Sequence, residues 1–201
     1  MQAVLREKLM AQAMKLSGVS AVYRGESHRF VEVYLNWLEE AEKDLSGLRS
    51  PVGVLLQAEK SLLNSVMDGY LPDNIKEGRS IRKIQKAVAA QSLEKVSREL
   101  SAKIVQIDSE FDQTREKLCH AVAILASRHP ELYATLHADQ SGVDAVWKLL
   151  GATPDTMPMY NYFCAKLAAT DVGYLLLDLI QNIIGNRNDF RPAHHGESHR
   201  G

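Results

Sequence analysis

The longest uninterrupted pattern in the chain is a 48-residue segment, Ile81 to Arg128, that contains neither glycine nor proline. Strong helix formers fill this segment, so it predicts one helix of about 72 Å at about 1.5 Å per residue. A compact protein of this length has a radius of gyration of only about 16 Å. The helix is therefore expected either to bend or to project as one arm of a coiled coil that needs a partner.

Apolar residues recur inside this segment at steps of three and four, which is the heptad pattern of helices that pair. The series is Leu93, Val96, Leu100, Ile104, Ile107, Phe111, Thr114, Leu118, Ala121 and Leu125. The step from Leu100 to Ile104 breaks the alternation, and residues 87–92 do not fit the register. The slip at Leu100 to Ile104 would locally unwind a supercoil. Because residues 87–92 lie outside the register, we expect any bend or division of the helix there.

Shorter amphipathic patterns predict further helices on both sides of the long one. Three precede it, at residues 2–17, 28–46 and 51–68, and three follow it, at residues 130–138, 142–150 and 158–185. The expected side-chain caps of these helices are Ser27, Ser50, Ser141 and Thr156.

Alternating patterns bounded by turn residues, which would indicate strands, are missing from the sequence. The sequence therefore predicts an all-α protein, a helical bundle of about seven helices with one long central helix at about 80–128. We expect one helical domain over residues 1–185, from which the long helix could project, and a polar tail over residues 186–201. Tyr34 and Trp37 are the expected aromatic anchors of the core.

The charges are nearly balanced, with 24 lysines and arginines against 25 aspartates and glutamates. This balance gives no global field that would attract the chain to nucleic acid or to an anionic membrane, so DNA is not an expected partner. The most apolar run, residues 172–184, is shorter than the ~20 residues that span a bilayer. The N-terminus also lacks a signal-peptide core. Together these features favour a cytoplasmic protein that does not enter membranes.

Few residues outside the tail suggest a chemical site. The two cysteines, Cys119 and Cys164, lie among apolar neighbours, form no zinc pattern and are expected to be buried. One narrow polar strip runs along the last predicted helix and consists of Asp171, Asp178 and Asn182. This strip is either an exposed or hydrogen-bonded seam or a catalytic pair of carboxylates. No cofactor is expected.

Histidines cluster near the C-terminus. His194, His195 and His199, together with Glu197, have side chains that bind transition metals, but a terminal cluster of this kind binds them loosely and often adventitiously. We therefore expect no functional metal site there.

The same part of the sequence contains Arg187, which is followed directly by Asn188. Six residues separate Arg187 from His194. This spacing resembles the R-x(4–6)-H signature of the HEPN superfamily, whose members are small all-α domains frequent in bacterial toxin and phage-defence systems. The resemblance covers about ten residues. The spacing is at the upper limit of the signature, and Pro192 lies within it.

The resemblance implies metal-independent cleavage of RNA, often in a site shared across a dimer. Arg187 would stabilise charge on the scissile phosphate, His194 would transfer a proton, and Asn188 would be an accessory polar residue.

Two functional hypotheses follow. In the first, the chain is a helical interaction or regulatory protein that self-associates through the seam at 93–125, with a protein partner or a second copy of itself. In the second, it is a HEPN-like ribonuclease, and RNA is its substrate.

Overall fold

The computed structural model describes residues 1–25, 27–70 and 80–189, without the side chains of residues 133, 134 and 186–189. Within these ranges the protein is an all-α helical bundle of eight helices and contains no strand. The helices are α1 (Gln2–Arg24), α2 (Phe30–Leu45), α3 (Pro51–Met67), α4 (Ile81–Arg128), α5 (Pro130–Thr135), α6 (Gln140–Ala152), α7 (Met157–Lys166) and α8 (Ala169–Asp189).

The long helix α4 forms as the sequence predicted, and it runs without a break through residues 87–92. Val88, Ala89 and Ser92 are buried there, so the stretch that does not fit the heptad register still packs against the protein. Pro130 follows one residue after the end of α4 and lies at the first position of α5. Proline cannot continue a helix from within, which explains why α4 stops at this point.

The helices group into two compact units, whereas the sequence predicted a single domain over 1–185. Unit 1 comprises Met1–Ser109 and unit 2 comprises Glu110–Gly201, so that α4 contributes to both. This arrangement answers the question raised by the length of α4, because each part of the helix belongs to a different compact unit. A partner chain is therefore not needed to cover the helix.

In unit 1, α2 packs against both α1 and α3. The fully buried side chains of Tyr34, Leu38 and Leu56 belong to its core. The first part of α4 is tied to this layer by polar contacts. The Tyr34 hydroxyl is 2.9 Å from the Ser92 hydroxyl, and Lys95 Nζ donates to Glu59 at 2.7 Å. These contacts fix α4 against α2 and α3.

In unit 2, α6 packs against both α7 and α8. The last part of α4 contacts α8 through Arg115, whose Nε donates to Asp178 at 3.1 Å. The rings of Phe111 and Tyr174 lie 6.1 Å apart, centroid to centroid, and join the same two helices. Phe163 on α7 is fully buried in this unit.

The apolar residues of the heptad seam are buried within the single chain. Only Thr114 is partly exposed, while the remaining nine residues, from Leu93 to Leu125, are 8% exposed or less. The chain's own helices already cover this seam, so it is not an exposed face that requires a second chain, and self-association through it stays a prediction. Periodicity identified the apolar face of α4 correctly but could not identify the partner of that face.

Several predicted boundaries also need correction. α1 continues past Ser17 and Gly18, α2 begins after Arg29 without a side-chain cap, and α6 is capped by Asp139 instead of Ser141. The predicted helix 158–185 is divided into α7 and α8 at Leu167, whose backbone is extended (φ −118°, ψ 147°). No glycine or proline marks this break. The tertiary structure imposes it, and α6 packs against both pieces.

Both cysteines are exposed, which contradicts their predicted burial. Cys119 follows the buried Leu118 on α4, and Cys164 follows the buried Phe163 on α7, so each occupies the position next to a core residue. Apolar sequence neighbours do not imply burial in a helix, because successive residues are about 100° apart around its axis. Over the described ranges, no helix is both long and apolar enough to cross a membrane.

Candidate binding site

A cleft of about 520 Å³ lies between α4 and α7, entirely within unit 2. Its size falls in the range of about 300–1,000 Å³ that is usual for ligand-binding clefts. The residues that line it are Glu116, Lys117, His120, Pro158, Met159, Tyr162 and Phe163.

The first turn of α7 positions the apolar wall of the cleft. Pro158 lies in this turn, where its fixed φ favours the helix and its missing N–H is not needed. The buried Thr156 hydroxyl donates to the carbonyl oxygen of Leu150 at 2.8 Å and is 3.2 Å from that of Thr153. Thr156 precedes α7 as its N-cap residue, although its side chain makes no capping bond to the helix. Its bonds instead fasten the start of α7 to the end of α6.

The floor and walls of the cleft are apolar. Phe163 is completely buried and forms the floor together with Met159, one turn earlier on the same helix. At the open side, Tyr162 is 38% exposed. Large apolar side chains at this exposure around a concave surface are typical of a binding site rather than of an ordinary solvated helix.

The rim carries a hydrogen-bonded cation. Lys117 Nζ donates to the Tyr162 hydroxyl at 2.8 Å and lies 4.3 Å from the centroid of the same ring. The hydrogen bond from Lys117 lowers the pKa of Tyr162 below its ordinary value, and the charges of Lys117 and Lys166 add to this effect, while desolvation opposes it. The rim therefore carries one cation, Lys117, beside Glu116, the one acidic residue among those that line the cleft, and the charge of Lys166 adds to that of Lys117 at Tyr162.

This arrangement suits binding better than catalysis. An apolar floor with an ammonium group at its edge holds an apolar group that carries a carboxylate nearby. A catalytic acid or base would need a second polar side chain within hydrogen-bonding distance to orient it. Among the described side chains, Tyr162 is hydrogen-bonded to Lys117, and no hydrogen bond links it to His120 or Glu116.

The residues that the sequence proposed for catalysis fall at the C-terminal limit of the described part of the chain and beyond it. Arg187 and Asn188 belong to the last turn of α8, and their side chains are outside the described part. His194 lies beyond the described residues, as do His195, Glu197 and His199. The structure therefore does not bring the three proposed catalytic residues together or separate them, and the HEPN-like site stays a prediction.

The polar strip of the last helix has a structural explanation. Asp178 forms an ion pair with Arg115, while Asp171 is only 2% exposed and Asn182 is exposed. The two carboxylates thus occupy different environments, which favours the interpretation as a hydrogen-bonded seam. In the described ranges, no group of three or more histidine, cysteine, aspartate or glutamate side chains could hold a metal ion.

The sequence predicted one continuous helix over residues 158–185, and this prediction gave no reason to expect a cleft beside its first half. A usable signal was present. Lys117 and His120 are three residues apart on α4, and Met159 and Tyr162 have the same spacing on α7. Each pair therefore lies on one helix face.

No known protein family, curated protein sequence or solved structure matches the chain.

Proposed function

We propose that the protein is a helical interaction protein that binds an acidic amphipathic helix of a partner protein in the cleft between α4 and α7. The observation that carries this proposal is the open apolar surface above Phe163, with the Lys117 ammonium at its edge. A helix laid in such a groove would place its apolar residues, at steps of three and four, on Met159 and Tyr162. A regulatory role would follow from controlled access to this groove.

Charge supports the acidic character of the partner helix. Lys117 is at the rim, and Lys166 is close enough to lower the pKa of Tyr162 by its charge. A carboxylate on the partner could accept a hydrogen bond from Lys117 in addition to the one that Tyr162 accepts, since an ammonium group has three donors. A basic helix would instead meet two like charges at this edge.

The proposal retains the interaction role predicted from the sequence but moves it to another surface. The seam at 93–125 is buried in the single chain, so it offers no exposed face to a partner. A second copy of the chain is one candidate occupant of the cleft, and light scattering of the purified protein would detect such self-association. The partner helix on another protein is the occupant that we favour on the grounds of charge.

The test is site-specific photocrosslinking in the native host. A photoreactive amino acid at Met159 should crosslink to one protein, and mass spectrometry should place the crosslink in an acidic amphipathic segment. The same probe at Val105, an exposed residue of unit 1, is the matched control. Lys117→Glu should abolish the crosslink at Met159 and preserve the circular dichroism spectrum. Crosslinks no different from those at Val105, or crosslinks that survive Lys117→Glu, would refute the proposal.

The HEPN-like ribonuclease remains a second candidate. One observation supports it. The sequence predicted that Arg187 and Asn188 belong to a polar tail, but α8 extends to Asp189, so both residues have helical backbone. Purified protein would be incubated with total RNA in the presence of EDTA. Cleavage by the wild type that is lost in both Arg187→Ala and His194→Ala is the expected result, with His199→Ala as the control. Equal behaviour of the wild type and both variants would remove this candidate.

A further inference from the structure

Unit 1 contains two cavities lined by basic side chains, and neither was considered in the argument from the sequence. The first, of about 460 Å³, lies between the start of α2 and the start of α4 and is lined by His28, Arg82, Lys83 and Lys86 among others. The second, of about 820 Å³, lies between the end of α1 and the following turns of α4. Tyr23, Arg24, Glu94 and Arg98 line it together with small residues.

The two cavities meet at Tyr23 and Lys86. Lys86 lines the first cavity, Tyr23 lines the second, and Lys86 Nζ lies 5.8 Å from the centroid of the Tyr23 ring. Together the two cavities follow α4 from Arg82 to Arg98 and wind part of the way around it, since these two residues lie about 160° apart around the helix axis. We call the two cavities together the basic track. Sixteen residues of α-helix make this track about 24 Å long.

The basic track is positive although the whole chain has a net charge of −1. Five of the side chains that line it are cations, and one, Glu94, is a carboxylate. The cations are Arg24, Arg82, Lys83, Lys86 and Arg98. Among the described residues, none of these cations forms an ion pair, in contrast to Arg6, Lys95 and Arg115, which do. Their charge is therefore available to a ligand.

The positions of two of these cations, Arg82 and Lys83, are unfavourable for the isolated fold. Both lie in the first turn of α4, which contains no acidic residue. Positive charge at a helix N-terminus opposes the helix dipole. An anion bound at this end of α4 would offset that effect, and the helix dipole would strengthen its binding.

The track also offers a surface for bases. Tyr23 is 39% exposed, and its ring packs 4.8 Å from the Phe30 ring, which holds it in place. Beside it, the groove is lined by small residues such as Ala87, Ala90 and Ser97. Because Lys86 is long and flexible, its ammonium can move to a phosphate and leave the face of Tyr23 to a base. A positive groove with an aromatic platform is the arrangement that binds single-stranded nucleic acid.

We infer that the basic track of unit 1 binds single-stranded nucleic acid, with Arg82, Lys83, Lys86 and Arg98 on the phosphates and Tyr23 against a base. A duplex keeps its bases stacked and cannot use Tyr23 in this way. The length of the track fits the lower end of the range of about 4–16 nucleotides per site in single-strand-binding folds. The inference does not depend on the partner helix in unit 2 or on any nuclease activity.

The experiment measures fluorescence anisotropy of the full chain with labelled oligouridylate, oligothymidylate and a duplex of equal length, in EDTA. The single strands, either RNA or DNA, should bind more tightly than the duplex. Between about 50 and 200 mM salt, log Kobs should fall against log[salt] with a slope near −2.8, at about −0.7 for each of four phosphates neutralised. A gel of the recovered probe confirms that it is intact.

Two variants distinguish the roles of charge and stacking. Lys86→Gln should make the slope shallower by about 0.7. Tyr23→Ala should weaken single-strand binding about five-fold or more without changing the slope, since stacking releases no counterions. Lys148→Gln, an exposed lysine of α6 in unit 2, is the matched control and should bind like the wild type.

Three results would overturn the inference. The first is no binding of single strands at low salt, and the second is equal binding of duplex and single strand with no effect of Tyr23→Ala. The third is binding to vesicles of anionic phospholipid in place of the oligonucleotides. Circular dichroism spectra of the variants establish that each is folded. All the substituted side chains are at least partly exposed, so the variants should fold like the wild type.

Discussion

Lys95→Met should destabilise unit 1 by about 2 kcal/mol, because it leaves a buried carboxylate without its cation. The Glu59 side chain is 6% exposed, and Lys95, which donates to it at 2.7 Å, is 52% exposed. Removing one partner of a fully buried ion pair costs about 3–5 kcal/mol, whereas exposed pairs contribute about 0.2–1 kcal/mol. This pair is buried on the carboxylate side only, so the expected cost lies between those limits.

The penalty should disappear when the carboxylate is removed as well. Glu59→Leu in the Lys95→Met background replaces the pair with apolar side chains, a change that is often neutral or stabilising. The double variant should therefore recover at least half of the lost stability. Lys103→Met is the matched control on the same helix. Lys103 donates to Gln106 at 3.2 Å and neutralises no buried carboxylate. It should shift the free energy of unfolding by less than about 0.5 kcal/mol.

The assay uses the two tryptophans, of which Trp37 lies in unit 1 and Trp147 in unit 2. In a Trp147→Phe background, urea unfolding followed by fluorescence reports on Trp37 and hence on unit 1. A loss of about 2 kcal/mol should lower the thermal midpoint of this unit by roughly 8 °C, at about 4 °C per kcal/mol. A loss below about 0.5 kcal/mol, or a double variant as unstable as Lys95→Met, would contradict the reasoning.

Three further predictions concern single substitutions, two in unit 2 and one in unit 1. Ser50→Ala should cost about 1 kcal/mol, measured through Trp37, because the Ser50 side chain caps α3. Gly142→Ala should cost about 2 kcal/mol or more, measured through Trp147, because the new Cβ would lie 2.0 Å from the backbone oxygen of His137; an unchanged midpoint would contradict this. Lys117→Met should raise the pKa of Tyr162, followed by NMR of ring-labelled tyrosine, since the hydrogen bond from Lys117 is the main cause of its lowering. A tyrosine pKa that is lower in the folded state stabilises the protein fully only above pH ~10, the pKa of an unfolded tyrosine. This stabilisation is lost as the pH falls through the pKa of the folded state, so the free energy of unfolding of Lys117→Met at neutral pH should equal that of the wild type.

The sequence alone determined the helical class and much of the core. Ser50 and Pro51 marked the start of α3, and Pro130 marked the end of α4, because caps and prolines act locally. The spacing of apolar residues also identified the buried faces of the helices, including Tyr34 and Trp37 on α2. These features depend on residues within a few positions of one another, so no tertiary information was needed.

The tertiary structure alone decided what each apolar face contacts. The seam of α4 is of the kind that pairs two chains, yet the single chain buries it. The break at Leu167 and the exposure of Cys164 depend on how α6, α7 and α8 pack, and neither left a local mark in the sequence. Both binding surfaces join residues from helices far apart in the chain: Lys117 with Tyr162 in the cleft, and Tyr23 with Lys86 in the basic track. Periodicity specifies which side of a helix avoids water, whereas long-range packing selects its neighbour, and the candidate sites lie between such neighbours.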